Sequence, residues 1–193
     1  MVVFAVDYIT DRRHFVNTGL RYAMDEHTSF SVLTLPLSSA KWHLVTSYLT
    51  LRKSVFVDRM NWGLDVDSDL EYEEYDAGPF AHYVIAHQQD KAIAGARLIQ
   101  CNTERGTGEY VRSYMIRDAA LGRIQLPKEL WMQSEPPTDE KSWELTRFVS
   151  SSTDPDIAKG ILEVAFGYMQ RLGGKRCICL SAPPMLRLSL IHI

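Results

Sequence analysis

The run DPDIAKGILEVAFGYMQRLGG, residues 154–174, most constrains the fold of this 193-residue chain. Asp154 can cap a helix, Pro155 suits its first position, and Gly173–Gly174 ends it. β-rich runs flank it, WELTRFVSS (Trp143–Ser151) and KRCICLSAP (175–183). Upstream, AHYVIAHQQDKAIAGARLIQ (81–100) reads as a hairpin, with strands at His82–His87 and Ala92–Gln100 and a turn at Gln88–Lys91. FSVLTLPL (Phe30–Leu37) is expected to form a first strand. Ser38 or Ser39 can cap the helix after it. Leu44, Tyr48, Leu51 and Val55 then recur at spacings of four, three and four, which makes one apolar face. Arg52 and Phe56 lie one turn apart on a neighbouring face. SYMIRDAALGR is short and amphipathic, and PKELWMQSEPPTDEKS reads as loop. The order strand, helix, hairpin, strand, helix, strand predicts an α/β fold, a three-layer αβα sandwich with a mixed central sheet.

Composition narrows the classes. Apolar residues make up 46% and charged residues 23%, the mix of an ordinary globular domain. A net charge of −3 gives a nucleic-acid role no support. No apolar run reaches the roughly 18 residues that span a membrane. The opening MVVFAVDYITDRRHF lacks the cationic region and cleavage site of a signal peptide. Cys101, Cys177 and Cys179 have no zinc spacing and read as reduced core thiols of a cytoplasmic protein. Residues 1–28 fit no element and read as an extension of unclear status, with Met24 an alternative start. The terminal LSLIHI (188–193) corresponds to CTG-TCT-CTT-ATA-CAC-ATC, a transposase-adaptor sequence. It is expected to be read-through after a domain covering 29–187.

Three clusters could carry chemistry. In LRKSVFVDRMNW, Arg52, Phe56 and Trp62 offer a guanidinium and two rings. That set suits a ligand with a carboxylate and a cationic or flat part, or it is core plus a surface pair. DSDLEYEEYD (67–76) packs six acids into ten residues. It is either a solvated loop, or Glu71, Glu73 and Asp76 hold an ammonium, a sulfonium or buried arginines. In WELTRF, Glu144 among apolar neighbours could be a general base or one half of a structural ion pair with Arg147. In a strand these two point to opposite faces unless a bulge intervenes. The histidines show no metal spacing, so no metal is expected, and no G-x-S-x-G elbow is present.

LRKSVFVDRMNWGL, LEYEEYD, GARL, SYMIRD and WELTRF, in that order, resemble the acyl-homoserine lactone synthases, the LuxI-type autoinducer synthases. The resemblance runs over roughly Phe30 to Arg187. It implies a fold similar to the GNAT acyltransferases and two substrates, S-adenosylmethionine and an acyl-acyl carrier protein or acyl-CoA. No cofactor is implied, since S-adenosylmethionine is itself consumed. Carried over residue by residue, Arg52, Phe56 and Trp62 shape the S-adenosylmethionine pocket. Glu71 and Asp76 belong to the acidic motif, and Arg97 is the Arg of GARL. Glu144, Arg147 and Phe148 form E-x-x-R-F, with Glu144 the favoured base. Glu73 stands where the family usually has Asp. Arg52→Ala and Glu144→Ala are each expected to abolish most activity with the fold intact. Family members also continue past Arg187, so an inactive truncated synthase is one alternative. The other is a GNAT-type N-acyltransferase acting on another amine. Against the latter, FVSSSTDPDIAKG lacks the R-x-x-G-x-G/A loop that cradles pyrophosphate.

Overall fold

A computed structural model describes residues 2–7, 28–35, 37–64, 69–125 and 135–181. Met24 and the terminal residues 188–193 lie outside the described residues. The chain divides into two compact units, one built from 1–8, 99–146 and 169–193, the other from 9–98 and 147–168. The elements are β1 (Val2–Asp7), β2 (Thr28–Thr34), α1 (Trp42–Arg52), β3 (His82–Gln88), β4 (Lys91–Gln100), α2 (Met115–Ala120), β5 (Ser142–Ser150), α3 (Pro155–Arg171) and β6 (Arg176–Ser181). Strands β4 and β5 each contribute residues to both units.

In the first unit β1 pairs antiparallel with β6, from Val2↔Ser181 to Asp7↔Arg176. Residues 2–7 therefore belong to a sheet, although the sequence of the first 28 residues suggested no element. β6 runs parallel to the start of β5, from Ser142↔Arg176 to Leu145↔Cys179. Parallel neighbours need a long crossover, and α3 supplies it. The end of β4 lies beside β5 as well, where the Cys101 amide donates to the Ser142 carbonyl at 2.9 Å. All three cysteines are free thiols in this unit. Burial raises the pKa of each, that of Cys179 to about 11.

The second unit holds an antiparallel meander. β2 pairs with β3 from Thr28↔Gln88 to Thr34↔His82, and β3 pairs with β4 across the Gln89–Asp90 turn. Mixed pairing in an α/β chain is thus the observed class. Helix α1 packs its buried stripe, Leu44, Val45, Tyr48 and Leu49, on Leu33, Tyr83 and Ile85. Ser38 does not cap it. Its hydroxyl instead accepts the Thr34 amide at 3.1 Å, and a 3-10 turn, Ser39–Lys41, leads into the helix. Helix α3 does start as its sequence dictates, because the Asp154 carboxylate accepts the Asp156 amide at 2.9 Å. It ends with Gly173 at φ 83° and the Gly174 amide on the Met169 carbonyl. Gly160 lets α3 approach β2, since a Cβ there would sit 2.6 Å from the Phe30 ring.

Candidate active site

The second unit brings together the arginines and acids that the sequence scatters over about a hundred residues. Arg52 lies on the buried stripe of α1, two turns from Leu44 and one from Tyr48, rather than on a neighbouring face. Glu71, Glu73 and Asp76 come from the segment after it, which docks on α1 through the Glu71 amide and the Leu49 carbonyl at 3.2 Å. Asp76 closes a capping box with Glu73 around a 3-10 turn, Glu74–Asp76. Arg97 sits on β4, directly across from Tyr83 on β3. Arg147 sits on β5.

These six side chains close a ring of alternating charge. Arg52 Nε bonds Glu71 Oε2, and its two terminal nitrogens fork onto Asp76 at 2.9 and 3.0 Å. Arg97 pairs with Asp76 at 3.1 Å and with Glu73 at 2.7 Å. Arg147 pairs with Glu73 at 2.6 Å and with Glu71 at 3.1 Å. Each carboxylate thus bridges two guanidiniums, and each guanidinium bridges two carboxylates. The formal charge of the ring is zero, which is the condition for burying six ions together. Glu73 spans Arg97 and Arg147, so the methylene that distinguishes it from Asp lies within the ring's closure. Tyr83 adds a hydroxyl donor to Asp76 at 3.1 Å, and Arg97 lies 5.6 Å from the centre of the Tyr75 ring.

The ring has an inside and an edge. Arg52, Arg97 and Asp76 have fully buried side chains, whereas Glu73 is 23% and Arg147 8% exposed. Every polar group of Arg52 is engaged by Glu71 and Asp76, which assigns Arg52 to holding the ring. This revises the expectation that Arg52→Ala leaves the fold intact. Glu71 and Asp76 likewise hold arginines rather than an ammonium ligand. The edge that faces outward is Glu73 with Arg147.

Beside that edge stand Phe56 and Trp62, stacked at 4.6 Å with an interplanar angle of 11°. The Arg147 guanidinium lies 5.8 Å from the Phe56 ring and 6.0 Å from the Trp62 ring. On a regular helix two residues six apart would point about 120° away from each other. Here α1 widens into a π-helical segment, Lys53–Arg59, where the Met60 amide reaches the Val55 carbonyl. Asn61, at φ 53°, then turns the chain back, and the Trp62 amide bonds the Phe56 carbonyl at 2.9 Å. Asparagine tolerates that left-handed conformation better than most residues. Phe148 follows Arg147 in β5, is half-buried, and carries none of the ion pairs.

Arg147 itself has φ 54° in mid-strand. A left-handed residue interrupts the two-residue alternation and re-aims a side chain, the condition the sequence set for Arg147. Glu144, in the first unit, is fully buried. Its two oxygens accept the Ile116 amide at 2.7 Å and the Met115 amide at 3.2 Å. The carboxylate therefore anchors the start of α2, with Asp118 accepting the Ser113 amide alongside. Sequence reasoning missed Tyr48, Tyr83 and Tyr75. The signal for Tyr48 was its place one helical turn before Arg52.

The ring makes the protein sensitive to acid. Burial pushes the carboxyls of Glu73 and Asp76 up, but Arg97 with Arg147, and Arg97 with Arg52, hold them below their ordinary 4.5 and 3.8. Folded values below unfolded ones give stability that is complete above about pH 4.5 and lost as pH falls further. His82 adds an earlier stage. Burial lowers its pKa from 6.5 to about 4, so between those values the unfolded chain binds the extra proton. Stability measured by urea unfolding at pH 7, 5.5 and 4 is expected to fall in both intervals. His82→Gln should remove the fall between pH 7 and 5.5 and reduce, without abolishing, that between 5.5 and 4. A stability unchanged between pH 7 and 4 would contradict both assignments.

A family model described as autoinducer synthase matches residues 37–115, the segment that holds Arg52, Phe56, Trp62, the three acids and Arg97. The acyl-homoserine-lactone synthase of Vibrio anguillarum is 30% identical over 129 residues, 65% of this chain and 57% of that protein. That of Aeromonas hydrophila is 25% identical over 125 residues, 64% of this chain and 52% of that protein. The chain thus spans a little over half the length of the curated relatives it matches. Among solved structures, the AHL synthase LasI superposes with a TM-score of 0.68 at 18% identity, covering 86% of this chain and 77% of LasI. The CoA-dependent acyl-homoserine lactone synthase BjaI superposes with a TM-score of 0.70 at 14% identity, covering 85% of this chain and 71% of BjaI. At such identities the solved structures speak for the fold, while the family model over residues 37–115 and the partial relatives make this chain similar to the autoinducer synthases.

Proposed function

We propose that the chain is the core of an acyl-homoserine lactone synthase, which N-acylates and lactonises S-adenosylmethionine. The observation that carries this reading is the outward edge of the ring, Glu73 and Arg147, set against the stacked Phe56 and Trp62. Such an edge offers a guanidinium to the methionine carboxylate, a carboxylate to the cationic end of the substrate, and ring faces to the sulfonium and adenine. BjaI was solved with S-adenosylmethionine and isopentyl-CoA, which supports an acyl thioester as the second substrate. The donor is an acyl-acyl carrier protein or an acyl-CoA.

In the first step the α-amine nitrogen bonds to the thioester carbonyl carbon. The carbon–sulfur bond breaks, and the amine proton passes to Glu144, directly or through water, and on to the departing thiolate, which leaves as the carrier thiol. In the second step a carboxylate oxygen attacks the carbon beside the sulfonium. That carbon–sulfur bond breaks and expels neutral methylthioadenosine. Glu144 is the base candidate as the fully buried carboxylate of the E-x-x-R-F strand. Arg147 and Glu73 orient the methionine end, while Arg52, Arg97, Glu71 and Asp76 hold that edge in place. Dependence on S-adenosylmethionine and an acyl thioester supports a cytoplasmic reaction.

The test is direct. The protein, alone and within its complete reading frame, is incubated with S-adenosylmethionine and a panel of acyl carrier proteins and acyl-CoAs. Mass spectrometry should find lactone and methylthioadenosine in equal amounts. Acylated amine without lactone would point to a plain N-acyltransferase, and no product from the complete frame would sink the reading.

A further inference from the structure

Tyr48 is a neutral side chain that reaches both the interior of the ring and the backbone that aims its edge. Its side chain is fully buried on α1. Its hydroxyl donates to the Arg147 carbonyl at 2.6 Å, across 99 residues of sequence. The Arg52 guanidinium lies 5.5 Å from the centre of its ring, and the Tyr83 ring meets it edge-on at 6.1 Å. Burial raises the Tyr48 pKa, so the hydroxyl stays a donor at every working pH.

The path that Tyr48 takes is kept open by Gly95 on β4. A Cβ at Gly95 would sit 2.7 Å from two carbons of the Tyr48 ring and 2.9 Å from the Val84 carbonyl oxygen. Gly95 has no left-handed backbone to explain it. Space for this ring is what its missing side chain provides.

At the far end of that path, Arg147 occupies the left-handed region in the middle of a strand, a conformation unfavourable for any residue with a side chain. Such a conformation persists only where its surroundings over-determine it. One constraint is the pair of ion pairs to Glu71 and Glu73. The other is the Tyr48 hydroxyl on the carbonyl of the same residue.

We propose that Tyr48, passing through the gap left by Gly95, is a positioning residue that clamps the Arg147 carbonyl and so aims its guanidinium at Glu71, Glu73 and the Phe56–Trp62 stack. The functional half of this inference rests on the reading that S-adenosylmethionine binds at that edge, while the structural half does not. The clamp sets the position of the arginine before any ligand arrives. Its loss is felt in binding more than in any later chemical step.

Tyr48→Phe keeps the ring and removes the hydroxyl, and two measurements separate the halves. In the first, NMR follows hydrogen exchange of the arginine Nε–H groups. The Arg147 Nε–H, which donates to Glu71 at 3.1 Å, should exchange about tenfold faster in Tyr48→Phe. The Arg52 Nε–H, bonded to the same Glu71, should keep its protection. A tenfold change corresponds to the roughly 1.4 kcal/mol of one buried hydrogen bond. Equal loosening of both arginines, or of neither, would overturn the clamp and leave Tyr48 a packing residue. In the second, titration with S-adenosylmethionine should show Kd raised about tenfold, with kcat for the bound complex changed by much less. Unchanged Kd together with a loosened Arg147 would overturn the functional half. Wild-type protein that binds no S-adenosylmethionine would fail the synthase reading and leave the exchange result to decide on the clamp.

Discussion

Arg52→Ala is expected to cost the protein about 3–5 kcal/mol of stability, the usual penalty for removing one partner from a buried ion pair. Glu71 loses one of its two guanidiniums and Asp76 loses its forked pair, while both remain buried. Against a typical total of about 5–15 kcal/mol, the variant sits near the unfolding threshold. The midpoint of urea unfolding measures it. Lys53→Ala, which removes an exposed pair with Asp58, should shift that midpoint by less than about 0.5 kcal/mol. An Arg52→Ala protein that unfolds like wild type would show that the ring is not closed in solution. The comparison also warns against reading an inactive Arg52 variant as proof of a catalytic arginine.

The second large effect belongs to Glu144→Gln. If Glu144 takes the proton from the attacking amine, turnover should fall by about 10²–10⁴-fold at neutral pH. An α-amine has an ordinary pKa near 7.7–8.0, so above about pH 8 it loses the proton without help. The deficit of the variant should therefore shrink as pH rises through that range. The competing account is also physical. The glutamine amide would face one of the two backbone N–H groups at the start of α2, leaving donor against donor. Such damage lowers turnover by a factor that does not change with pH. A pH-independent deficit would assign Glu144 to anchoring α2 and require another base.

The elements that sequence makes legible here are those with local causes. Helix α3 is bounded by its own Asp154, Pro155 and glycines, and the β3–β4 hairpin by its own alternation and turn. Strand β1 escapes because its partner, β6, lies about 170 residues away and nothing local demands the pairing. The widening of α1 into a π-helix escapes because a 3.6-residue period carries no signal for it, yet that widening lets Phe56 meet Trp62. The site residues were legible as residue types and as a family pattern, while the pairings among them were not. The sequence leaves Glu71 and Asp76 open to a cationic ligand or to buried arginines, and their partners are Arg52, Arg97 and Arg147. What decides between those readings is burial.

The six charges of the ring arrive on four separate stretches of chain, and Arg147 joins Glu71 across 76 residues and Glu73 across 74. A half-assembled ring would strand unpaired ions in a dry interior, so intermediate assemblies are disfavoured and closure is concerted. The acidic segment is therefore expected to order only once β5 supplies Arg147, with φ-values near zero at Glu71 and Glu73. Concerted closure also removes any gradual route to opening: in native-state hydrogen exchange the amides of Glu71 and Asp76 should become accessible only when the whole second unit unfolds. A loop that looks in sequence like the most soluble part of the chain thereby becomes the seal on its folding.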